Sequence, residues 1–357
     1  MAPAPLAAEA AGSGPGLRRT PLRPTFHPAL VNGLFGDPAL YVESLHQSRA
    51  LLLDLGEIPG LPPRKLLRLS DVFVSHTHMD HFAGFDRLLR VCLGREVTLR
   101  LWGPEGFTER VAHKLGGYSW NLVESYTSDF TLEAAEVPGT GSGARARFRV
   151  RSGFTREELS PVEPEGGVLV DDPELRVRAA VLDHRIPCLA FALEEPEHIN
   201  IWRNRLEAKG LVTGPWLRTL KAAVRRQAHR DTPIPVGWRD PAGKPATLPL
   251  GELEAEVLAR SRGQKVAYVV DALFSEANRE RIVDLARGAD RLYIEAAFLE
   301  RDRERAAATY HLTARQAGLL AREAGVGDLV PFHFSTRYEG EAEVLQAEAR
   351  AAFRGEG

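Results

Sequence analysis

One run of seven residues, Ser75-His76-Thr77-His78-Met79-Asp80-His81, constrains this chain more than any other stretch. It continues an apolar segment, 71–75, that reads as a short buried strand, and it places three imidazoles and one carboxylate within six positions. Histidine and aspartate at this density suit a borderline divalent metal, with bonds of about 2.0–2.2 Å. A lone histidine is ordinarily a satisfied core or surface residue. Three in this order with an aspartate read instead as a metal-binding loop at the end of a strand. Such a loop does not complete a site, so the fold must bring further ligands to it. His184 after the apolar run 175–182, Asp271 after 266–270 and His333 within 329–334 stand where strands are expected to end. Open α/β sheets bind their ligands at that edge, beyond the carboxyl ends of the strands.

The rest of the chain supplies the alternation that such a sheet requires. Strands are expected over 39–43, 50–55 and 97–102. Helices are expected over 82–93, with Phe85, Leu88, Leu89 and Cys92 on one face, and over 104–115. Residues 1–25, rich in alanine, proline and glycine, read as a disordered tail, leaving 26–357 as one domain. In 144–151, Arg145, Arg147, Arg149 and Arg151 alternate with apolar residues, giving a strand with one basic face. A solvated outer face is favoured there over an RNA-contacting stripe. Residues 196–250 break the rhythm and read as an insertion. A helix opening at Gly214-Pro215 carries Leu217, Leu220 and Val224 on one side and Arg218, Lys221, Arg225, Arg226 and Arg230 on the others, followed by a proline-rich loop to 249. The α/β rhythm resumes with strands at 265–270, 291–294 and 329–334 and helices near 278–287 and 313–324.

Composition removes several classes. With 46 basic and 48 acidic residues the net charge is −2, so nucleic-acid binding requires a local patch and not a global field. Two cysteines, Cys92 and Cys188, exclude a disulfide scaffold and a cysteine-built metal site. No apolar run approaches the roughly 20 residues that cross a bilayer, and no signal-peptide pattern opens the sequence, so a cytoplasmic protein without membrane partners is expected.

The HxHxDH pattern resembles that of the metallo-β-lactamase superfamily, and other stretches resemble its ribonuclease Z branch, the tRNA 3′-end processing endonucleases. Those stretches are Leu182-Asp183-His184-Arg185, Ile294-Glu295-Ala296-Ala297-Phe298, His311-Leu312-Thr313 and Pro331-Phe332-His333-Phe334-Ser335-Thr336-Arg337-Tyr338. Gly214-Pro215, Leu220 and Lys221 echo the family's tRNA-binding arm, and the resemblance spans roughly 37–340. It implies a four-layer αββα fold of the α/β class with an inserted basic arm.

It further implies two zinc ions, in ligands that also accept manganese or iron. His76, His78 and His184 would hold one ion, Asp80, His81 and His333 the other, and Asp271 would bridge them. Ions about 3.5–4 Å apart clamp a phosphodiester and acidify water to hydroxide. Asp80 would orient that water or take its proton. His311, expected to stand apart from the ligands, would protonate the leaving 3′-oxygen while Glu295 holds its ring, unless the two form only a buried structural pair. Asp54 would orient the histidine loop, and Arg218, Lys221, Arg225 and Arg226 would contact precursor tRNA. The family is commonly homodimeric. Two alternatives stand beside this reading: a hydrolase of the same fold acting on a small phosphodiester or another ester, and a non-catalytic metal-binding protein.

Overall fold

The computed structural model describes residues 24–44, 49–239 and 245–356. The expected tail up to residue 23 lies outside the described residues. The first eight strands pair in chain order: β1 (Phe26–Leu30), β2 (Leu40–Ser44), β3 (Ala50–Leu53), β4 (Leu69–Phe73), β5 (Thr98–Pro104), β6 (Thr131–Val137), β7 (Arg145–Arg149) and β8 (Arg156–Glu158). Strands β3 to β6 are parallel, and their crossovers carry α1 (Pro63–Leu66), α2 (Met79–Phe82), α3 (Phe85–Cys92) and α4 (Phe107–Gly116). Next come β9 (Val168–Asp171), β10 (Arg176–Asp183) and β11 (Pro187–Glu194) as an antiparallel meander.

The chain then leaves the sandwich through β12 (His198–Ile201), α5 (Arg203–Ala208), α6 (Trp216–Arg225), β13 (Pro233–Arg239), β14 (Pro245–Pro249), α7 (Leu250–Val257) and β15 (Leu258–Ser261). It returns through β16 (Lys265–Val269), α8 (Glu276–Ala286), β17 (Arg291–Glu295), α9 (Arg303–Ala308), α10 (Ala314–Glu323), β18 (Leu329–Phe332) and α11 (Ala342–Arg354). The second sheet has the order β18-β17-β16-β11-β10-β9, with β16, β17 and β18 parallel.

Period-two alternation assigns the layers. In β3, Leu51 and Leu53 face the second sheet, while Ala50 and Leu52 pack under α1 and α3. Phe73, Trp102, Phe191, Leu193, Val266 and Tyr268 fill the space between the sheets. Ala190, Ala192, Ala267, Leu292 and Ile294 point the other way, onto α8 and α10. Both sheets are therefore apolar on both faces and covered by helices outside, which is the expected αββα sandwich of the α/β class. Helix α3 forms where expected, burying Phe85, Leu88, Leu89 and Cys92. Helix α10 begins at a capping box in which Thr313 and Gln316 satisfy each other's backbone N–H groups.

The stretch expected as a proline-rich loop to 249 differs from expectation in its described residues, where Pro233–Arg239 and Pro245–Pro249 form the antiparallel pair β13–β14. Prolines lack an N–H for a central ladder but are tolerated in a two-stranded ribbon whose outer edges are unpaired. The excursion has its own core, built on Ile199, Leu211, Trp216, Leu220, Val236, Leu253 and Val257. Its root is fixed by buried polar groups. Thr25 donates to Glu195 at 3.0 Å, His198 Nδ1 lies 3.0 Å from the same carboxylate, and Gln264 accepts from the Phe26 N–H at 2.7 Å. The basic face of β7 is spoken for: Arg145 and Arg147 pair with Glu133 at 2.7 and 2.8 Å.

The histidine run leaves β4 and docks, backbone to backbone, on the turn after β3. Leu55 N donates to His81 O at 3.0 Å and Gly84 N to Leu55 O at 2.9 Å. Two glycines permit this approach: a Cβ on Gly84 would lie 2.2 Å from Gly56 O, and one on Gly56 would lie 2.4 Å from Asp80 O. Gly84→Ala is accordingly expected to destabilise the fold by about 1–3 kcal/mol through overpacking, read as a lower denaturant midpoint. An unchanged midpoint would mean that the two turns are not locked together.

Candidate metal centre

Ligating side chains from both sheets meet at one edge of the sandwich. His76, His78, Asp80 and His81 follow β4, His184 follows β10, Asp271 follows β16, and His333 follows β18. Two of these ligand carriers, Asp271 at φ 40° and His333 at φ 56°, and Asp54 behind them at φ 60°, leave their strands in the left-handed region. For a residue with a Cβ this costs of the order of 1–3 kcal/mol, which the surrounding contacts must offset.

Asp271 is the centre of the cluster. Its Oδ2 lies 3.5 Å from His76 Nε2, 3.4 Å from His81 Nε2 and 3.4 Å from His184 Nε2. Across the cluster, Asp80 Oδ2 lies 3.5 Å from His81 Nε2 and 3.6 Å from His333 Nε2. His333 Nδ1 is 2.9 Å from Asp271 Oδ1 without the alignment of a hydrogen bond. Most of these gaps are long for hydrogen bonds. In a tetrahedral site with bonds of about 2.0–2.2 Å, ligand atoms stand roughly 3.3–3.6 Å apart, which is the spacing seen here. Four ring or carboxylate atoms, His76 Nε2, His81 Nε2, His333 Nδ1 and Asp271 Oδ1, are buried without a hydrogen-bond partner. Orphaned buried polar atoms are rare, and several converging on one point fit divalent cations.

The opposite side of three of these rings is occupied, which aims the free nitrogen inward. His81 Nδ1 donates to Asp54 at 2.9 Å, His184 Nδ1 to the Tyr310 carbonyl at 2.8 Å, and His76 Nδ1 to Ser75 Oγ at 3.1 Å. Asp54 also accepts from Ser75 N at 2.7 Å, Ser75 Oγ at 3.0 Å and Tyr268 OH at 2.9 Å. One buried carboxylate thereby ties the histidine loop to the facing sheet. Ser75, Tyr268 and the carbonyl of Tyr310 were not singled out in the sequence. The only signal for Ser75 was its place immediately before the histidines. Cys188 is a buried neighbour of His76, 3.6 Å from its Nδ1 and so on the side away from the cluster.

His311 does not stand apart as expected. Its Nδ1 is 3.8 Å from Asp271 Oδ1 and donates to Glu295 Oε2 at 2.8 Å. Glu295 additionally accepts from Ala272 N at 2.7 Å and Leu312 N at 3.2 Å. Asp271, Glu295 and His311 lie close enough to form a third ligand-like group. The Glu295–His311 bond satisfies both partners, so that group is a hydrogen-bonded pair beside the cage.

The charges respond to this packing. Burial, reinforced by the charge on His81, lowers His76 to about 2, and burial likewise lowers His78. Burial opposes ionisation of Asp80, but contact with His333 and the charge on His81 prevail, lowering it to about 2. Burial also opposes charge on His333, yet the Asp271 carboxylate raises it to about 10. In His311 the same opposition is overcome by Glu295, and its pKa is raised.

Of the basic residues Arg218, Lys221 and Arg225 of α6 and Arg226 just past its end, Arg218 and Arg226 are exposed. Arg225 pairs with Glu174 at 2.5 Å, tying the excursion to the sandwich. Lys221 is half-buried, and burial together with Arg225 lowers its pKa.

Searched against models of known protein families, the chain matches none. It is similar to curated proteins. The ribonuclease Z of Deinococcus radiodurans is 34% identical over 325 residues, 89% of this chain and 92% of that protein. That of Thermobifida fusca is 36% identical over 256 residues, 69% and 73% of the two chains. That of Methanothermobacter thermautotrophicus is 30% identical over 314 residues, 85% and 82%. Among solved structures, the metallo-beta-lactamase fold protein YhfI of Bacillus subtilis superposes with a TM-score of 0.51 at 17% identity, over 92% of both chains. Human tRNase Z, short form, superposes with a TM-score of 0.51 at 19% identity, over 88% of this chain and 93% of that one. At those identities the two structures establish the fold.

Asp54→Asn keeps the shape of the hub but removes its charge and one acceptor. Metal affinity is expected to fall about 10–100-fold, measured by competition with a chromogenic chelator. Affinity equal to the parent's would show that Asp54 does not hold the histidine loop in its binding geometry.

Proposed function

The chain belongs to the ribonuclease Z family, and from that premise we propose that it is a metal-dependent endoribonuclease that trims the 3′ end of tRNA precursors. The observation that carries the metal chemistry is the convergence of buried, partnerless ligand atoms at tetrahedral spacing. His76, His78 and His184 would hold one zinc ion, Asp80, His81 and His333 a second, with Asp271 shared. Manganese or iron is compatible with the same donors. Bound divalent ions there would supply positive charge to the phosphoryl oxygens and acidify water at neutral pH.

The protein's own groups account for the remaining steps. Asp80, ionised at neutral pH, presents an acceptor that orients the attacking water toward phosphorus. The new P–O bond forms as the bond to the 3′-oxygen breaks. His311 carries the proton that this oxygen takes up, leaving a 3′-hydroxyl on the tRNA and a 5′-phosphate on the trailer. Glu295 fixes the His311 ring and favours its protonated form. Arg218 of α6 and Arg226 just past its end would meet the phosphate backbone, with Lys221 and Arg225 behind them. Homodimerisation, with the arm of one subunit reaching RNA held by the other, is part of this reading and rests on the family resemblance. A cytoplasmic location fits two unpaired, buried cysteines. Among the described residues no helix is long and apolar enough to cross a membrane.

The test is cleavage of a 3′-extended tRNA precursor by the metal-loaded protein, with bis(p-nitrophenyl) phosphate as the small-substrate comparison. A single cut on the 3′ side of the acceptor stem, absent in Asp80→Ala, is expected. An intact precursor with brisk turnover of the small diester would redirect the activity to small phosphodiesters. His311→Ala should retain its metal while slowing cleavage by roughly 10²–10⁴. Loss of metal in that variant would make His311 a ligand.

The pH dependence follows from the raised pKa of His311. The protonated acid is present below that pKa, so cleavage falls as pH rises through it. Glu295→Gln removes the charge that raises it and should move the alkaline limb of the pH–rate profile to lower pH. A limb that stays in place would separate Glu295 from proton transfer.

A further inference from the structure

A cavity of about 380 Å³ opens from the histidine and aspartate cluster. Its inner end is formed by Asp80, His311 and His333, and its outer end by Arg305 and Thr309 of the segment that contains α9. Phe35, half-buried and packed edge-on against Phe334 with ring centroids 5.5 Å apart, supplies an aromatic wall. Asp37 also lines it, its carboxylate accepting from Glu57 N at 3.0 Å; a space of this size, with one cation, hydroxyls and an aromatic ring, suits one nucleotide.

Arg305 is the unusual member of this lining. It is exposed, and no carboxylate or carbonyl holds its guanidinium among the described residues. Other arginines near this end of the fold are paired, Arg303 with Glu300, Arg301 with Glu341 and Arg337 with Asp302. The backbone that carries Arg305 is nevertheless fixed to the catalytic groups. His311 N donates to Ala306 O at 2.9 Å, Thr309 N donates to Arg305 O at 3.0 Å, and Tyr310, at φ 61°, presents its carbonyl to His184. The end of α9 thus positions an acid, orients a candidate ligand and projects an unpaired guanidinium from one short stretch.

The chemistry decides which nucleotide the cavity takes. His311 is the group facing the leaving 3′-oxygen, and it lies on the cavity wall, so the ribose bearing that oxygen belongs in the cavity. We propose that this cavity holds the last nucleotide retained on the tRNA, and that Arg305 grips the phosphate on the 5′ side of that nucleotide. The proposal rests on the endoribonuclease reading. It makes Arg305 a substrate-binding residue that selects for a polynucleotide over an isolated diester, since an isolated diester has no second phosphate for the guanidinium to hold.

The test is a cycle between the side chain and the phosphate. Precursors are prepared with a neutral methylphosphonate replacing either the phosphate 5′ of the last retained nucleotide or the first phosphate within the trailer. On the unmodified precursor, Arg305→Ala should lower kcat/KM by roughly 10–100-fold, the range of a lost charge-assisted hydrogen bond, with most of the change in KM and partial recovery in Arg305→Lys. With the 5′-side methylphosphonate the parent should fall by a similar factor and Arg305→Ala should add nothing. With the trailer methylphosphonate the full Arg305→Ala effect should remain. Additive losses at the 5′-side position, or coupling to the trailer position instead, would overturn the assignment while leaving the endoribonuclease reading intact. A parent protein that leaves the unmodified precursor uncut would remove both.

Discussion

A carboxylate as deeply buried as that of Asp271 has to be compensated, and the arrangement of this molecule's active edge follows from that requirement. A charge without water or partners is too costly to keep in a core. Here the compensation comes from imidazoles of both sheets: His76 and His81 from the first, His184 and His333 from the second. Neither sheet supplies the set alone. The sandwich must close for the cluster to exist, and the cluster in turn places mutually repelling histidines that only cations or carboxylates make tolerable together.

The closure is held at the same edge. Asp54 accepts from Ser75 and His81 on its own sheet and from Tyr268 on the other, while Leu189 N donates to Ser75 O across the gap at 2.8 Å. In the middle of β4, buried Asp71 binds Arg49, which also reaches Asp172 beside β9 at 2.6 Å. The interior between these polar anchors is aromatic and aliphatic, with Phe73 stacked on Trp102 and tilted against Phe191. Rigid strands ending in constrained turns keep ligand atoms apart at metal-binding spacing, where free side chains would relax into hydrogen bonds. The same hydrogen-bonded framework continues through the Tyr310 carbonyl to His311, whose N–H donates to Ala306 O at the end of α9.

Much of this was legible in the sequence because it is local or periodic. Four candidate ligands sit in six consecutive positions, and His184, Asp271 and His333 each stand at or near the end of an apolar run. What stayed hidden depends on distant pairing. Tyr268 reads as a core strand residue, and its bond to Asp54 joins positions 214 apart. The nearness of His311 to Asp271 is set by a crossover through α9 that no spacing rule encodes. Prolines at 233, 235, 245 and 249 masked a strand pair, since their usual meaning is loop. Helix α11 escaped notice because its buried face is mostly alanine, Ala349 and Ala352 beside Leu345, a weak periodic signal. It packs so closely on α10 that a Cβ at Gly318 would come within 2.2 Å of Ala349 O.

The central claim is that the cluster around Asp271 is a cage for two divalent cations and not a self-neutralising network of ion pairs. Titration of the metal-free protein with zinc in a calorimeter, repeated in buffers of different ionisation enthalpy, tests it directly. Two equivalents bound per chain, with protons released as His333 and its charged neighbours give up theirs to become ligands, is the result this account predicts. Binding of one equivalent or none, or binding without proton release, would contradict it.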